Sequence, residues 1–396
     1  MRGRIVESLR IAIVTENLPS DRLNLQPWRY LGDLAHALRA AGHDAFVLTH
    51  EGGTSSWNGV PVEEHPGLSE FRDLVGLRRM SRARRADATL FRLTASLFLS
   101  MHDRGGSPSL GGKLAGIFLR PLHAGSDLVK RFLDPLLLPE ARLDIHHAAL
   151  YATRRLGAWP RAGSFVDEFL FLWESDRMRA IAAGLPAASC SVIRHPFDRF
   201  FMHEAGPDSA SRVAEQLTPV PRRIAFVGPP EESRGVSDVL NLGRWLPKEP
   251  RTQILLILRD PRFPDPVIRR TRAGPHDVRV IRGLLSREDV RLAYVRAHLA
   301  VFPYRFVRTA LPLVPLEAVA AGRPVVTTRV HPIRELQPKS GLLFAKPGHP
   351  SDIARAITAI LDGGGLEESR RRKQEWVRAT PDWSVVAAKI VSVLRR

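Results

Sequence analysis

The chain has 396 residues, two to three times a typical domain length, so we expect two domains that each bury a core. Hydrophobic residues make up 44% and charged residues 25%, a composition that excludes a disordered chain. The formal charge of +18 favours a phosphate-bearing partner: nucleic acid, anionic lipid or a phosphorylated small ligand. A single cysteine, Cys190, excludes an internal disulfide and a four-cysteine zinc site, and we expect it to be buried.

The N-terminal segment has no apolar stretch long enough for a signal peptide before Pro19. The best candidate for a membrane span, Leu93–Met101, has about half of the ~18 apolar residues that a spanning helix needs. We therefore predict a cytoplasmic protein, either soluble or held at a membrane surface, with the inner face of the plasma membrane as the candidate surface.

Two strand–helix–strand patterns predict two similar α/β domains, because each alternates a short apolar run with a helical spacing of apolar residues. The first comprises Ile11–Val14, Leu31–Leu38 and Ala45–Leu48, and the second comprises Ile224–Val227, Val236–Leu246 and Gln253–Leu258.

Strands and helices continue to alternate regularly after the second pattern, which predicts a parallel, doubly wound sheet. Ser286 and Asp352 are predicted helix N-caps. We assign residues 1–205 to an N-terminal domain, 206–221 to a linker and 222–381 to a C-terminal domain, with the last helix, 382–396, as a candidate to pack back on the first domain. The further elements are strands at Val278–Ile281, Leu299–Phe302 and Pro324–Thr328, and helices at Ser286–Arg296, Leu316–Ala321 and Asp382–Leu394.

The segment Leu77–Arg142 is the least regular and the most basic, with twelve Lys and Arg residues against five acids. One hypothesis is a basic amphipathic surface that lies on anionic lipid. The other is a solvated helical insertion. The arginines at its start are Arg78, Arg79, Arg82, Arg84 and Arg85, and the interleaved apolar residues are Leu90, Phe91, Leu93, Leu97, Phe98 and Leu99.

Glu317 is the strongest candidate for a ligand contact. Pro315-Leu316-Glu317 opens a short predicted helix that ends at Gly322, so we expect Glu317 in its first turn. The preceding loop, Tyr304–Val314, follows a strand and lies where open α/β sheets bind ligands. A carboxylate there suits the two hydroxyls of a ribose, although its interaction with the helix dipole alone is the simpler alternative.

The order of these motifs resembles the donor domain of retaining GT-B glycosyltransferases. Pro303 follows a buried strand, P-L-E-A-V-A-A-G-R-P-V-V-T-T begins at Pro315, and G-L-L-F-A-K-P-G-H-P begins at Gly341. The resemblance is close from Arg222 to Leu361. It implies two Rossmann-like domains facing a cleft, and a retaining hexosyltransferase. We expect no metal or other cofactor, because the 14 histidines do not pair with acids at ligand spacing and no D-x-D motif follows a strand.

The implied substrates are a nucleoside-diphosphate sugar donor and a glycan or lipid-linked acceptor. The resemblance places the donor against Gly228, Arg234, Gly283, Leu313, Val314 and Glu317, and it gives the catalytic set as Arg234, Glu317, Thr309 and His146.

Two departures from the family pattern concern the sugar and the diphosphate. The family's E-x7-E pair has its second Glu at Glu317, but its first position holds Thr309, which can hydrogen-bond a sugar without carrying charge. Arg234 stands at the family's lysine position and Pro229 at its arginine position. Arg234 and the helix N-terminus after Gly235 would therefore grip the diphosphate. Arg259 and Arg305 are candidates for the missing cation.

His146 is the candidate contributed by the N-terminal half. Leu143–His147 resembles the family's strand-end D-x-x-H pattern, in which a histidine orients the acceptor or the donor sugar. A capping or partly buried histidine is the alternative.

Two other function classes stay open. A GT-B protein without transferase activity, such as a nucleotide-sugar epimerase or a binding scaffold, would account for Thr309 and Pro229 together. A nucleic-acid-binding protein would account for the charge, but the sequence carries no recognition motif of that class, so we expect no nucleic-acid partner.

Overall fold

The structure is a computed structural model that divides into two compact units. Unit 1 comprises Met1–Leu128, Leu143–Pro196 and Pro381–Arg396, and unit 2 comprises Val129–Arg142 and Phe197–Thr380. The predicted domain limits at 205 and 381 lie near two of these divisions, whereas no sequence pattern indicated that residues 129–142 group with unit 2. The structure describes residues 7–18, 28–52, 54–65, 84–102, 112–196, 198–202, 213–217, 219–309, 312–336, 342–363, 371 and 375–396.

Unit 1 is built on an eight-stranded sheet with the order β3-β4-β2-β1-β5-β6-β7-β8. All neighbours are parallel except β3 and β4. The strands are β1 (Arg10–Leu18), β2 (Asp44–Gly52), β3 (Ser56–Trp57), β4 (Val60–Glu64), β5 (Ala88–Arg92), β6 (Lys113–Phe118), β7 (Glu168–Phe171) and β8 (Cys190–Val192).

Unit 2 is built on a seven-stranded sheet with the order β11-β12-β10-β9-β13-β14-β15, antiparallel only at β11. Strands β10, β12 and β11 lie on one side of β9, and β13, β14 and β15 lie on the other. The direction of strand order therefore reverses between β9 and β13, which makes this the topological switch point. The strands are β9 (Arg222–Gly228), β10 (Thr252–Arg259), β11 (Val267–Ala273), β12 (His276–Gly283), β13 (Leu299–Phe302), β14 (Val325–Thr328) and β15 (Leu343–Ala345).

These two mainly parallel sheets with connecting helices confirm the predicted α/β class. Within the described residues, no helix combines the length and the apolar composition that crossing a bilayer requires. The α-helices are α1 (Trp28–Ala40), α2 (Ala95–His102), α3 (Gly125–Leu133), α4 (Ile145–Arg155), α5 (Trp159–Ala162), α6 (Glu174–Ala182), α7 (Val236–Leu240), α8 (Arg287–Arg296), α9 (Leu313–Ala320), α10 (Pro350–Asp362) and α11 (Trp383–Leu394).

The part of Leu77–Arg142 that forms β5 and β6 belongs to the sheet of unit 1 and is not an insertion. It contributes β5, which pairs with β1, and β6, which pairs with β5. Phe98 stacks on Trp159 with 4.5 Å between ring centroids, and Phe118 joins the same cluster. Both hypotheses for the segment were therefore wrong for five of its interleaved apolar residues, because these lie in the core of unit 1: Leu90, Phe91, Leu93, Leu97 and Phe98 are all buried. The side chain of Leu99 lies outside the part of the chain that the structure describes.

The helix ends show where local signals decide and where they do not. Ser286 caps α8 in a capping box with Asp289, as predicted. Asp352 is not a cap, because α10 begins two residues earlier at Pro350, a favoured first residue of a helix. The predicted helix 236–246 is also shorter than expected: α7 ends at Leu240 and a 3-10 turn follows.

The loops after β9 and β13 are fastened to each other by their main chains. The carbonyl oxygen of Ser233 accepts hydrogen bonds from the amides of Arg305 and Phe306 at 2.9 and 3.1 Å. Gly235 has a φ of +75°, and a Cβ atom there would lie 2.1 Å from the carbonyl oxygen of Pro303. Only glycine fits this approach, so it fixes the relative position of the two loops at the switch point.

The core assignment of residues 88–98 is tested with a matched pair of leucines. Leu97 is 1% exposed and Leu133 is 73% exposed. We expect Leu97→Ala to lower the free energy of unfolding by about 2–5 kcal/mol because it leaves a cavity. We expect Leu133→Ala to change it by less than about 0.5 kcal/mol. Urea denaturation measures both, and equal losses would contradict the assignment.

The close approach of Gly235 to Pro303 is tested with two glycines of similar backbone conformation. Gly322 has a φ of +72° and open space around its Cβ position. We expect Gly322→Ala to cost roughly 1–2 kcal/mol, the ordinary cost of a left-handed alanine. Gly235→Ala adds the clash with Pro303, so its melting temperature should fall well below that of Gly322→Ala. Similar melting temperatures would show that the loops separate without cost.

Candidate functional site

The candidate site lies at the carboxyl ends of β9 and β13, on either side of the topological switch. The loop after β9 contains a 3-10 turn, Glu232–Arg234, and leads into α7. The loop after β13 leads into α9. Ligands of open α/β sheets bind in the crevice at such a switch point.

Arg234 and Tyr304 join the two loops through their side chains. The guanidinium of Arg234 donates a 3.0 Å hydrogen bond to the phenol oxygen of Tyr304, and it lies 5.1 Å from the centroid of that ring. Glu231 is 3.8 Å from the same guanidinium. Burial raises the pKa of Tyr304 to about 12, although Arg234 opposes the shift. Tyr304 therefore stays a neutral phenol that orients Arg234.

Glu317 is 3% exposed and lies deeper in its helix than the sequence predicted. The helix α9 begins at Leu313 instead of Pro315, because Pro312 takes the N-cap position. Glu317 is thus its fifth residue and lies outside the first turn, so an effect of the helix dipole alone does not account for its position. Leu313 and Val314 open the helix and are partly exposed. The carbonyl oxygen of Val314 accepts a hydrogen bond from Tyr294.

The remaining predicted residues of unit 2 lie at strand ends or in the same loop. Thr309 is partly exposed, and its hydroxyl has no hydrogen-bond partner among the residues that the structure describes. Gly228 ends β9. Gly283 ends β12, two strands away, and a Cβ there would lie 2.7 Å from Pro266. Packing of the loop after β10 is therefore sufficient to explain Gly283.

Arg305 was a candidate for the missing cation, but carboxylates already neutralise it. Its guanidinium donates to both oxygens of Asp238, at 3.0 and 2.6 Å, and to Asp134 at 3.3 Å. Burial raises the pKa of Asp238, and the hydrogen bond from Arg305 opposes the shift. Arg305 holds the loop in place, because this buried pair fixes its side chain to α7.

Sequence reasoning missed a second arginine in this loop, Arg308. Its guanidinium lies 3.1 Å from Glu231 and 2.5 Å from Glu140. Glu140 also accepts hydrogen bonds from the main-chain amides of Glu232, at 2.6 Å, and of Ser233, at 3.2 Å. Glu140 is more than ninety residues distant in the chain, so no local pattern could have linked it to this loop.

His146 does not follow a strand as the predicted D-x-x-H pattern requires. Residues 138–144 form a 3-10 helix, and His146 lies in the first turn of α4 with its side chain exposed. The neighbouring His147 is buried instead and meets the ring of His123 at 4.9 Å. The strand-end interpretation was therefore wrong, because the segment continues as helix.

Two other expectations concern metals and the cysteine. Among the residues that the structure describes, no three His, Cys, Asp or Glu side chains are placed to hold a metal ion. Cys190 is buried, as expected, and burial raises its pKa to about 11.

One family model matches part of the chain. Residues 221–363 match the family model described as glycosyl transferases group 1. No curated protein matches the sequence significantly.

Solved structures resemble the chain over almost its whole length. HepE from Anabaena, solved with UDP and glucose, matches with a TM-score of 0.69 and 15% identity over 98% of this chain and 99% of HepE. Sucrose-phosphate synthase from Thermosynechococcus elongatus matches with a TM-score of 0.64 and 16% identity over 97% and 98% of the two chains.

WaaG, a glycosyltransferase involved in lipopolysaccharide biosynthesis, also matches with a TM-score of 0.64 and 16% identity, over 97% of this chain and 99% of WaaG. At such identities these likenesses establish the fold. The chain therefore has the two-domain α/β fold of the GT-B glycosyltransferases, and its residues 221–363 match the family of group 1 glycosyl transferases.

Proposed function

We propose that the protein is a retaining glycosyltransferase that moves a hexose from a nucleoside-diphosphate sugar to an acceptor hydroxyl. The observation that carries the proposal is the placement of Arg234 and Tyr304 on the two loops that flank the topological switch of unit 2, with Glu317 on α9, the helix that the second loop leads into. The family match over residues 221–363 supports the same reaction class.

The donor's nucleoside and diphosphate would be held by different residues. Glu317 is a buried carboxylate on a rigid helix, which suits it to accept hydrogen bonds from ribose hydroxyls. Arg234 is oriented by Tyr304, and a guanidinium binds phosphate oxygens bidentately. Its charge would also stabilise the diphosphate as it leaves. Leu313 and Val314 would then lie beside the donor at the start of α9.

Retention is proposed through attack on the same face that the diphosphate leaves. The acceptor oxygen bonds to the anomeric carbon as the carbon–oxygen bond to the diphosphate breaks, and the acceptor proton passes to a phosphate oxygen. Thr309, whose hydroxyl has no partner among the described residues, is suited to hydrogen-bond the sugar. Proton NMR of the product tests retention, since its anomeric configuration must match that of the donor.

The acceptor that we propose is lipid-linked, because a short segment exposes several large apolar side chains. Residues 129–142 carry exposed Lys130 and Arg142 alongside them. Apolar side chains and cations together favour an anionic membrane surface. Three of the arginines that the sequence suggested for a membrane-facing surface, Arg78, Arg79 and Arg82, lie outside the described residues. A fourth, Arg84, pairs with Glu63 at 2.9 Å. The exposed apolar residues are Val129, Phe132, Leu133, Leu136 and Leu138.

The donor assignment predicts that two substitutions separate nucleoside binding from diphosphate binding. Calorimetry first finds the nucleoside diphosphate that binds best, starting with UDP because HepE was solved with it. We expect Glu317→Gln to weaken binding of both that diphosphate and its nucleoside, by roughly 1.5–3 kcal/mol. We expect Arg234→Ala to weaken binding of the diphosphate and to leave binding of the nucleoside unchanged.

The control is Arg177→Ala, which removes an arginine that pairs with Glu174 in unit 1 and should leave both affinities unchanged. An Arg234→Ala protein that keeps its preference for the diphosphate would contradict the phosphate role of Arg234. Binding of nucleotide sugars without turnover would favour the epimerase or scaffold alternative. Salt-dependent DNA binding without nucleotide binding would favour a nucleic-acid-binding protein.

The membrane assignment predicts that Leu133→Gln lowers flotation with anionic vesicles, because this side chain is the most exposed of the apolar set. Vesicles of phosphatidylglycerol and phosphatidylcholine at low salt provide the measurement, since salt screens the cationic contribution. Leu156→Gln is the control, a leucine of similar exposure in unit 1. Wild-type protein that fails to float would make a soluble acceptor the better hypothesis.

A further inference from the structure

We propose that Arg308 and the main-chain amides of Glu232 and Ser233 form a phosphate site, and that Glu140 occupies this site as a built-in competitor. The carboxylate must leave before a diphosphate binds there. The identity of the phosphate as that of a nucleotide sugar rests on the proposed function, but the anion site itself does not.

The contacts of Glu140 are those of a bound anion. One oxygen accepts from the amide of Glu232 at 2.6 Å, and the other accepts from the amide of Ser233 at 3.2 Å and from Arg308 at 2.5 Å. Successive main-chain amides beside a guanidinium are the arrangement that proteins use for phosphate oxygens. All three donors belong to the loops that bracket the switch point.

Glu140 is delivered by a strap, residues 129–142, that groups with unit 2 although the chain on both sides of it belongs to unit 1. The strap contacts the loop after β13 at three places. Asp134 pairs with Arg305, Glu140 pairs with Arg308, and the guanidinium of buried Arg131 lies 5.8 Å from the ring of Phe306. The first and third contacts hold the strap without Glu140, so its carboxylate can be exchanged for another anion locally.

The charges explain why a diphosphate would displace this carboxylate. Arg308 faces two carboxylates, Glu140 and Glu231, and Glu231 also faces Arg234. A diphosphate carries more negative charge and more acceptor oxygens than one carboxylate, and it can reach both guanidinium groups. The apparent affinity for the diphosphate is therefore its intrinsic affinity multiplied by the fraction of molecules in which Glu140 has left the site.

The test is calorimetric titration of the full chain with inorganic pyrophosphate, which has no base or sugar. Glu140→Gln removes the charge that pairs with Arg308, so this side chain should no longer compete with pyrophosphate. If Glu140 fills the site in about nine molecules of ten, pyrophosphate should bind Glu140→Gln roughly tenfold more tightly than it binds wild type. The control Glu174→Gln removes a glutamate that pairs with Arg177 at 2.6 Å in unit 1, and its affinity should equal that of wild type.

A double variant tests whether the tighter pyrophosphate binding depends on Arg308. Adding Arg308→Gln to Glu140→Gln should abolish the tighter binding, and unchanged melting temperatures establish that the variants fold. Pyrophosphate affinity that is unchanged or lower in Glu140→Gln overturns the inference, whatever nucleotides bind. If pyrophosphate binds more tightly but no nucleoside diphosphate binds better than pyrophosphate, the anion site stands and the proposed donor fails.

Discussion

The carbonyl oxygen of Ser233 is the point on which the candidate site depends. It accepts two amides from the loop after β13, and Gly235 beside it gives the carbonyl of Pro303 room to approach. These contacts bring two loops from opposite sides of the topological switch into one structure. The side chains that follow, Arg234 from one loop and Tyr304 from the other, then meet within hydrogen-bond distance.

A chain with a charge of +18 builds this site with its cations already paired. Arg234, Arg305 and Arg308 each face at least one carboxylate, since unpaired charges of low exposure are costly. The pairs differ in their surroundings. Arg305 shares a buried contact with Asp238, whereas Arg308 shares its carboxylates with main-chain amides and a neighbouring arginine. The first pair is a fixed support, and the second is an exchangeable one.

Local sequence signals were sufficient for elements whose burial is uniform. β13 matches its predicted limits, since its four buried residues stand between polar and turn residues. They failed for β5 and β6, because arginines flank these strands and the segment reads as a basic surface. They also placed the start of α9 two residues late, because Pro315 looked like the first helical residue although Pro312 caps the helix.

The candidate site was predicted only where it is local. Arg234 was assigned from the family resemblance and Glu317 from its place after a strand and loop, whereas Tyr304 was visible as a loop residue without an assigned partner. Glu140 was out of reach, since its contacts with Glu232, Ser233 and Arg308 are set by the packing of the strap and not by any periodicity. His146 was expected at a strand end, but it lies in helix α4, which turns His147 inward and leaves His146 exposed.

The strap also decides how this protein can be cut into pieces for study. A fragment that begins after Pro196 and ends before Pro381 contains every strand of the second sheet and all of the family-matched residues 221–363, so it is the natural choice for expressing that part alone. That fragment lacks Asp134, Glu140 and Arg131, so Arg305, Phe306 and Arg308 would lose these contacts. Ligand affinities measured on it would describe a surface that the intact chain does not present.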